Sequence, residues 1–194
     1  MGGGVVGRRA LAGACEVKHQ QADGRHLNWR PMTAKDLTAV DAIAARVHPL
    51  YPEEQAVLAE RLRLYPDGCR ALDMALDMGG AGIAGYVLSH PWHLGEPPAL
   101  NVMLERIPSP GSTYYIHDLA LLPEARGSGA GFLIVNELIS HARELGLPSL
   151  SLVAVNGSMP FWERHGFEAA TVQHESSKPS SYGEDARLMS LDLA

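Results

Sequence analysis

A β-rich run, a proline, a glycine-rich turn and a long amphipathic helix follow one another without interruption in the third quarter of the chain. The run is Thr113–Leu122, and Pro123 ends it because proline lacks the N–H that a strand ladder uses. The helix is predicted over Gly127–Leu145, where apolar residues recur at the spacing of one helix face. A strand that leads into a helix in this way predicts an α/β domain.

Strand and helix patterns also alternate on both sides of this segment. We predict helices after Thr33, over Glu53–Leu64 and over Ser158–His165, and strands over His26–Arg30, Cys69–Asp77, Ala81–Ser89, Leu150–Val155, Phe167–Gln173 and Arg187–Leu193. The connection from His90 to Gly111 is rich in Pro and Gly and longer than most loops, so we expect it to serve a binding site. The order β-α-α-β-β-β-α-β-α-β-β predicts an α/β (α+β) fold with one mixed sheet, in a single domain over residues 27–194.

Composition excludes several classes of protein. The 194 residues carry 16 Lys and Arg against 22 Asp and Glu, so the chain lacks the cationic surplus that nucleic-acid binding needs. No apolar run approaches the roughly 20 residues of a membrane span, so no membrane partner is expected. Cys15 and Cys69 alone cannot form a disulfide framework, which favours a reducing, cytoplasmic location.

Residues 1–26 differ from the rest in charge, being net positive ahead of an acidic remainder. Their apolar stretch, Ala10–Cys15, is interrupted by Gly13 and is too short for the roughly 7–15-residue core of a signal peptide. We therefore expect a disordered extension that takes no part in the chemistry.

The glycine-rich turn suits a phosphate ligand. Gly127, Gly129 and Gly131 carry no Cβ, and the start of the helix offers unpaired N–H groups at the positive end of its dipole. The spacing does not fit the G-x-G-x-x-G dinucleotide fingerprint, because its last position is Phe132 or Ile134, and the lysine of a P-loop is absent. A second interpretation stays open, in which the glycines only allow tight packing at a helix start.

Two motifs resemble the GNAT superfamily of N-acetyltransferases. The turn Arg126-x-x-Gly129-x-Gly131, after the strand Ile116-His-Asp-Leu-Ala-Leu121, is similar to the acetyl-CoA pyrophosphate loop of that superfamily. The segment Ser158-Met-Pro-Phe-Trp-Glu-Arg-His-Gly-Phe167 resembles its late helix motif. The resemblance covers roughly His26 to Leu193. It implies a mixed, mostly antiparallel sheet with acetyl-CoA in a V-shaped gap, and direct transfer of the acetyl group to a primary amine.

The resemblance also implies which residues hold acetyl-CoA. The backbone of Leu119, Leu121 and Leu122 would bind the acetyl carbonyl and pantetheine. The pyrophosphate would lie on the backbone N–H groups of the turn, those of Arg126, Gly127, Ser128, Gly129, Ala130 and Gly131. Asn156, one residue beyond the usual Asn of the superfamily, and Trp162, in the place of its usual Tyr, are the other candidate cofactor contacts.

Amine acetylation needs a base that takes a proton from the acceptor, directly or through water. His117 and Asp118 are the ionisable groups on the key strand, and alternation predicts His117 on one face with Tyr115 and Leu119, and Asp118 on the other with Ala120. Several superfamily members have Glu in the place of His117, so we favour His117 as the base, with a structural hydrogen-bonding role as the alternative. Asp118 is expected to orient its neighbours.

The resemblance leaves the acceptor open. The segment from Tyr51 to Glu54 falls where the superfamily forms one wall of its acceptor site, and a small amine or a peptide N-terminus would both fit. We expect no metal, since His90 and His93 lack further ligands to complete a site, and a homodimer is left open.

Trp162 departs from the pattern of the superfamily, in which Tyr is proposed to protonate the leaving thiolate. An indole N–H cannot act as an acid at neutral pH. Either the thiolate leaves unaided or takes its proton from water, or the chain is a catalytically silent acyl-CoA-binding module. A protein N-terminal acetyltransferase is a third alternative.

Overall fold

Eight strands and four α-helices build the described part of the chain. The computed structural model describes residues 19–20, 26–75, 81–170, 182–183 and 185–194. The strands are β1 (His19–Gln20), β2 (His26–Pro31), β3 (Cys69–Ala75), β4 (Ala81–Trp92), β5 (Thr113–Leu121), β6 (Ser149–Ala154), β7 (Glu168–Ala169) and β8 (Arg187–Asp192). The helices are α1 (Leu37–Val47), α2 (Gln55–Leu64), α3 (Ala130–Glu144) and α4 (Met159–Glu163). Apart from residues 19–20 and 26, the predicted extension over residues 1–26 lies outside the described residues and stays a prediction.

The strands form one sheet in the order β1-β2-β3-β4-β5-β6-β8-β7. Neighbours are antiparallel except β5 and β6, which run parallel and are joined by the crossover through α3. The predicted element order and the mixed, mostly antiparallel sheet are confirmed, with β1 added in front. The strand predicted over Phe167–Gln173 is shorter, because β7 covers Glu168–Ala169 and residues 171–173 lie outside the described residues.

Helices cover both faces of the sheet, each over its own apolar cluster. On one face, Val40 of α1 and Leu58 of α2 share a buried cluster with Tyr86 of β4. On the other face, Ile134 of α3 shares a cluster with Ile116 of β5. Among the described residues, no helix is both long enough and apolar enough to cross a membrane.

The start of α1 is anchored to the sheet by a carboxylate. The side chain of Asp36 accepts hydrogen bonds from the backbone N–H of Thr33 at 2.8 Å and from the guanidinium of Arg30, also at 2.8 Å. Arg30 also bonds Asp73 of β3 at 2.9 Å. The hydrogen bond from Arg30 lowers the pKa of Asp36 to about 2.

The long connection after β4 is held against α2. β4 continues to Trp92, further than predicted, so the connection covers residues 93–112. Buried Glu60 accepts the N–H of Leu104 at 2.7 Å, and its neighbour Arg61 donates both to Glu60 at 2.8 Å and to the carbonyl of Val102 at 2.7 Å. These hydrogen bonds fix the connection against α2.

A β-bulge interrupts β5 at His117. Leu88 of β4 pairs with Asp118 and Ser89 pairs with Ile116, so His117 has no partner in β4. The predicted strict alternation is wrong at this point. His117 and Asp118 both face the side of α1 and α2, while Leu119 packs in the cluster under α3.

Candidate functional site

A cavity of about 1010 Å³ lies where β5 and β6 separate. The two strands pair only over Tyr114–Ile116 and Leu150–Leu152. β5 then continues to Leu121 with β4 on one edge and, within the described chain, no strand on the other. The side chains of Leu119 and Leu121 line the cavity. The open backbone edge of β5 can therefore bind a ligand.

The glycine turn lies at one end of this cavity. Gly129 caps α3 with φ +85° and Gly127 has φ +76°, a conformation that favours glycine. The N–H of Arg126 already donates to Pro123, and that of Ala130 to the hydroxyl of Ser128. The N–H groups of the remaining turn residues, Gly127, Ser128, Gly129 and Gly131, have no hydrogen-bond partner among the described residues. Four free donors at a helix N-terminus suit an anion.

Gly131 serves packing as well. A Cβ at this position would lie 3.3 Å from the ring of Phe161 and 3.4 Å from a methyl carbon of Leu121. The packing interpretation therefore holds for Gly131, which lets α3 approach α4, while Gly127 and Gly129 have open space around them.

His117 forms a buried pair with Glu53, which precedes α2. His117 Nε2 lies 2.9 Å from Glu53 Oε2, and the two side chains are 1% and 7% exposed. Burial alone would raise the pKa of Glu53, but the His117 ring and its hydrogen bond outweigh burial and lower it. Glu53 is thus an ionised hydrogen-bond acceptor, so Nε2 carries a hydrogen. His117 Nδ1 is buried and has no hydrogen-bond partner among the described residues.

A second histidine–carboxylate pair lies beside the first. Nε2 of His48, the residue after α1, is 3.1 Å from Asp118 Oδ1, and the hydroxyl of Tyr86 donates to the other carboxylate oxygen. Burial opposes ionisation of Asp118, but His48 and Tyr86 outweigh it and lower its pKa. Burial likewise opposes protonation of His48, and the Asp118 charge outweighs it and raises the pKa of His48. On its far side, His48 Nδ1 lies 3.0 Å from the amide nitrogen of Asn156.

Trp162 lies on α4 at the edge of the cavity. It is mostly buried, with its ring packed edge-on against Phe161 at 4.9 Å and Phe167 at 5.4 Å between centroids. The position is therefore filled by an apolar ring that has no titratable group.

The sequence model of the Acetyltransferase (GNAT) family matches residues 36–167, which include both histidine pairs, the glycine turn and Trp162. The chain belongs to this family. No curated protein matches the chain in sequence.

Solved structures agree with the GNAT fold. Ard1 from Thermoplasma volcanium is 16% identical with a TM-score of 0.61, covering 87% of this chain and 98% of that one. The GphF GNAT-like decarboxylase in complex with isobutyryl-CoA is 17% identical with a TM-score of 0.64, covering 86% and 99%. The ribosomal-protein-S18-alanine N-acetyltransferase from Escherichia coli is 18% identical with a TM-score of 0.56, covering 87% and 94%. At these identities the likeness shows the fold.

The residues present fit acyl-CoA, the co-substrate that GNAT membership supports. Free N–H groups on the glycine turn suit its pyrophosphate, and the open edge of β5 suits its amides. Most of the predicted site residues line the cavity: His117, Asp118, Leu119, Leu121, Arg126, Gly127, Gly129, Gly131, Asn156 and Trp162. Leu122, Ser128 and Ala130 do not; Leu122 N–H donates to Ala84 of β4, and the Ser128 hydroxyl holds the turn together.

His48 and Tyr86 are the site residues that sequence reasoning missed. His48 ends a helix before a proline and Tyr86 lies in a buried strand, and neither position has a motif around it. The resemblance assigns Glu53 to the wall of the acceptor site, and the sequence does not predict its contact with His117. In the described residues no three His, Cys, Asp or Glu side chains converge as metal ligands. The cytoplasmic location and the question of a homodimer stay predictions.

Proposed function

We propose that the chain transfers an acetyl group from acetyl-CoA to a primary amine, with His117 as the general base. The observation that carries this proposal is the buried pair of His117 and Glu53, in the same cavity as a glycine turn with free N–H groups. The turn holds the pyrophosphate, and the open edge of β5 holds pantetheine and polarises the acetyl carbonyl through a backbone N–H. The wall near Tyr51 and Glu53 receives the amine.

The tautomer of His117 decides which nitrogen accepts the proton. Since Glu53 is an acceptor and Nε2 carries a hydrogen, the lone pair lies on Nδ1. His117 is almost fully buried, so the proton of the amine reaches Nδ1 through water. As the neutral amine nitrogen bonds to the acetyl carbon and gives up this proton, the C–S bond breaks and CoA leaves as a thiolate.

Two alternatives remain, and each has a supporting observation. Trp162 removes the tyrosine of the superfamily, which favours a silent acyl-CoA-binding module. The fold is also that of a ribosomal-protein-S18-alanine N-acetyltransferase, which supports a peptide N-terminus as acceptor.

Release of CoA thiol across a panel of small amines and short peptides tests the proposal. We expect turnover with at least one small amine, and a loss of kcat/KM of roughly 100-fold at neutral pH in His117→Ala. His93→Ala, an exposed histidine outside the cavity, is the control. Binding of acetyl-CoA without turnover would favour the silent module, and turnover of peptides alone would favour the N-terminal acetyltransferase. An unchanged kcat/KM in His117→Ala would refute the assignment of the base.

A further inference from the structure

We propose that His48 is the general acid that protonates the departing CoA thiolate, a role that Trp162 cannot perform. The proposal rests on the proposed function, since it concerns the leaving group of the same reaction. It assigns a catalytic role to a residue that the motifs do not include.

His48 bridges the gap in which β5 and β6 separate. Asp118 lies on β5, two residues beyond the last residue that pairs with β6. Asn156 lies on the other side of the gap, just beyond the end of β6 and before α4. His48 contacts Asp118 at 3.1 Å through Nε2 and Asn156 at 3.0 Å through Nδ1. The imidazole thus spans the mouth of the gap that the resemblance assigns to the thioester.

The two nitrogens of His48 have different roles. Nε2 lies 3.1 Å from the ionised Asp118 as an ion-pair contact whose geometry falls outside that of a hydrogen bond, and a carboxylate at this distance favours a hydrogen on Nε2 in both protonation states. The proton that can leave is therefore the one on Nδ1. Asn156 can face Nδ1 with either end of its amide, its N–H₂ when Nδ1 carries a lone pair and its oxygen when Nδ1 is protonated. Nδ1 therefore has a hydrogen-bond partner in both states of His48, so the ring can change its charge in place.

The charged groups around His48 favour its protonated form. Asp118 from β5 is in contact and Glu53 from the start of α2 is nearby, and both favour the cation, whereas Arg126 of the glycine turn and burial oppose it. The balance raises the pKa of His48, so more of it is protonated at neutral pH than of a free histidine. Exposure also separates the two histidines. The side chain of His48 is 16% exposed, against 1% for His117.

The proton balance of the reaction closes with two separate histidines. The amine nitrogen loses one proton, which passes through water to His117 Nδ1, as the N–C bond forms. The C–S bond breaks, and sulfur takes the proton from His48 Nδ1. Exchange with solvent then removes the proton from His117 and returns one to His48. The products are the amide and the CoA thiol, with no other reactant.

The pH dependence of a His48→Gln variant tests the proposal, because Gln keeps hydrogen bonding and loses the transferable proton. We expect kcat/KM for acetyl-CoA to fall roughly 100-fold at pH 7. The deficit should shrink as pH rises above the pKa of His48, where the wild-type protein loses its acid form, and further above about 8.5, where a thiol ionises and the thiolate is itself stable. Asn156→Ala, which leaves the proton on His48, should keep the alkaline fall in kcat/KM. His93→Gln should match the wild-type protein throughout.

The sign of the pH trend decides between roles. A wild-type to variant ratio that is constant with pH would mean a structural role, and a ratio that grows with pH would mean a base; either overturns the proposal. If His48→Gln fails to fold, the NMR titration of His48 in the wild-type protein replaces it. Its pKa must then coincide with the alkaline fall in kcat/KM, and a mismatch overturns the proposal. Absence of turnover in the wild-type protein would instead refute the proposed function itself.

Discussion

Two parts of the cavity, the glycine turn and the histidine–carboxylate pairs, are built by different means. At the glycine turn, a few consecutive residues present backbone N–H groups that have no protein partner among the described residues. Around the two histidines, side chains meet from distant segments, such as Glu53 with His117 and His48 with Asn156, which is 108 residues away. Most of these polar atoms are already paired with each other. The turn therefore has free donors for an anion, whereas a ligand beside the histidines must share groups that are already paired with one another.

Removal of the buried ion pair on α2 gives the largest expected loss of stability. Arg61→Met should cost about 3–5 kcal/mol of unfolding free energy, because the 1% exposed guanidinium pairs with Glu60 at 2.8 Å and its removal leaves a buried carboxylate with only the more distant, exposed Arg63 as a cation. Urea unfolding measures the loss. We also expect the KM for the amine to rise more than the KM for acetyl-CoA, since the connection held by Arg61 bonds Glu53 through Asn101, beside the wall proposed to receive the amine.

Arg63→Met is the matched control, on the same helix and also near Glu60. Its guanidinium is 3.8 Å from the carboxylate and its side chain is 67% exposed, so its loss should cost less than about 1 kcal/mol. Equal losses in the two variants would contradict the view that the buried pair holds this wall.

Asp36→Asn weakens the anchor at the start of α1 without touching the cavity. The pKa of Asp36 is about 2 in the folded protein, below its ordinary value, so its carboxylate stabilises the fold above about pH 4. This contribution is lost as pH falls from about 4 to about 2. We expect the variant to be about 2 kcal/mol less stable at pH 7. Urea unfolding at a series of pH values should show the difference vanishing near pH 2, and a difference that stays constant with pH would contradict the role of the charge.

The smallest expected effect on stability comes from two glycine substitutions that distinguish cofactor binding by the turn from backbone strain. Gly129→Ala and Gly146→Ala lie at the two ends of α3 with φ of +85° and +69°, and neither added Cβ has a neighbour within 4 Å. Both should lose about 1 kcal/mol from backbone strain, measured by thermal unfolding. Only Gly129→Ala should weaken binding of acetyl-CoA in calorimetry. Equal affinities would mean that the turn does not hold the cofactor.

The predictable part of the molecule was the part encoded locally. The order of strands and helices and the turn at Gly127 and Gly129 follow from spacing within a few residues. The bulge at His117 did not follow, because an extra residue in a strand leaves the apolar pattern on either side intact. The pair of His48 and Asp118 depends on where α1 ends and on the register of β5, and both are settled by packing between segments far apart in sequence.

The bulge also determines how β5 can change in length. A strand with period two normally reverses the faces of all later side chains when one residue is added or removed. At the bulge this reversal does not occur: without His117, Ile116 would still face α3 and Asp118 would still face α1. Deletion of the bulged residue is therefore tolerated by both cores, whereas a deletion along the regularly paired stretches of β5 is not. Deletion of one residue at this point would remove the imidazole of His117 and leave the carboxylate of Asp118 on its present face.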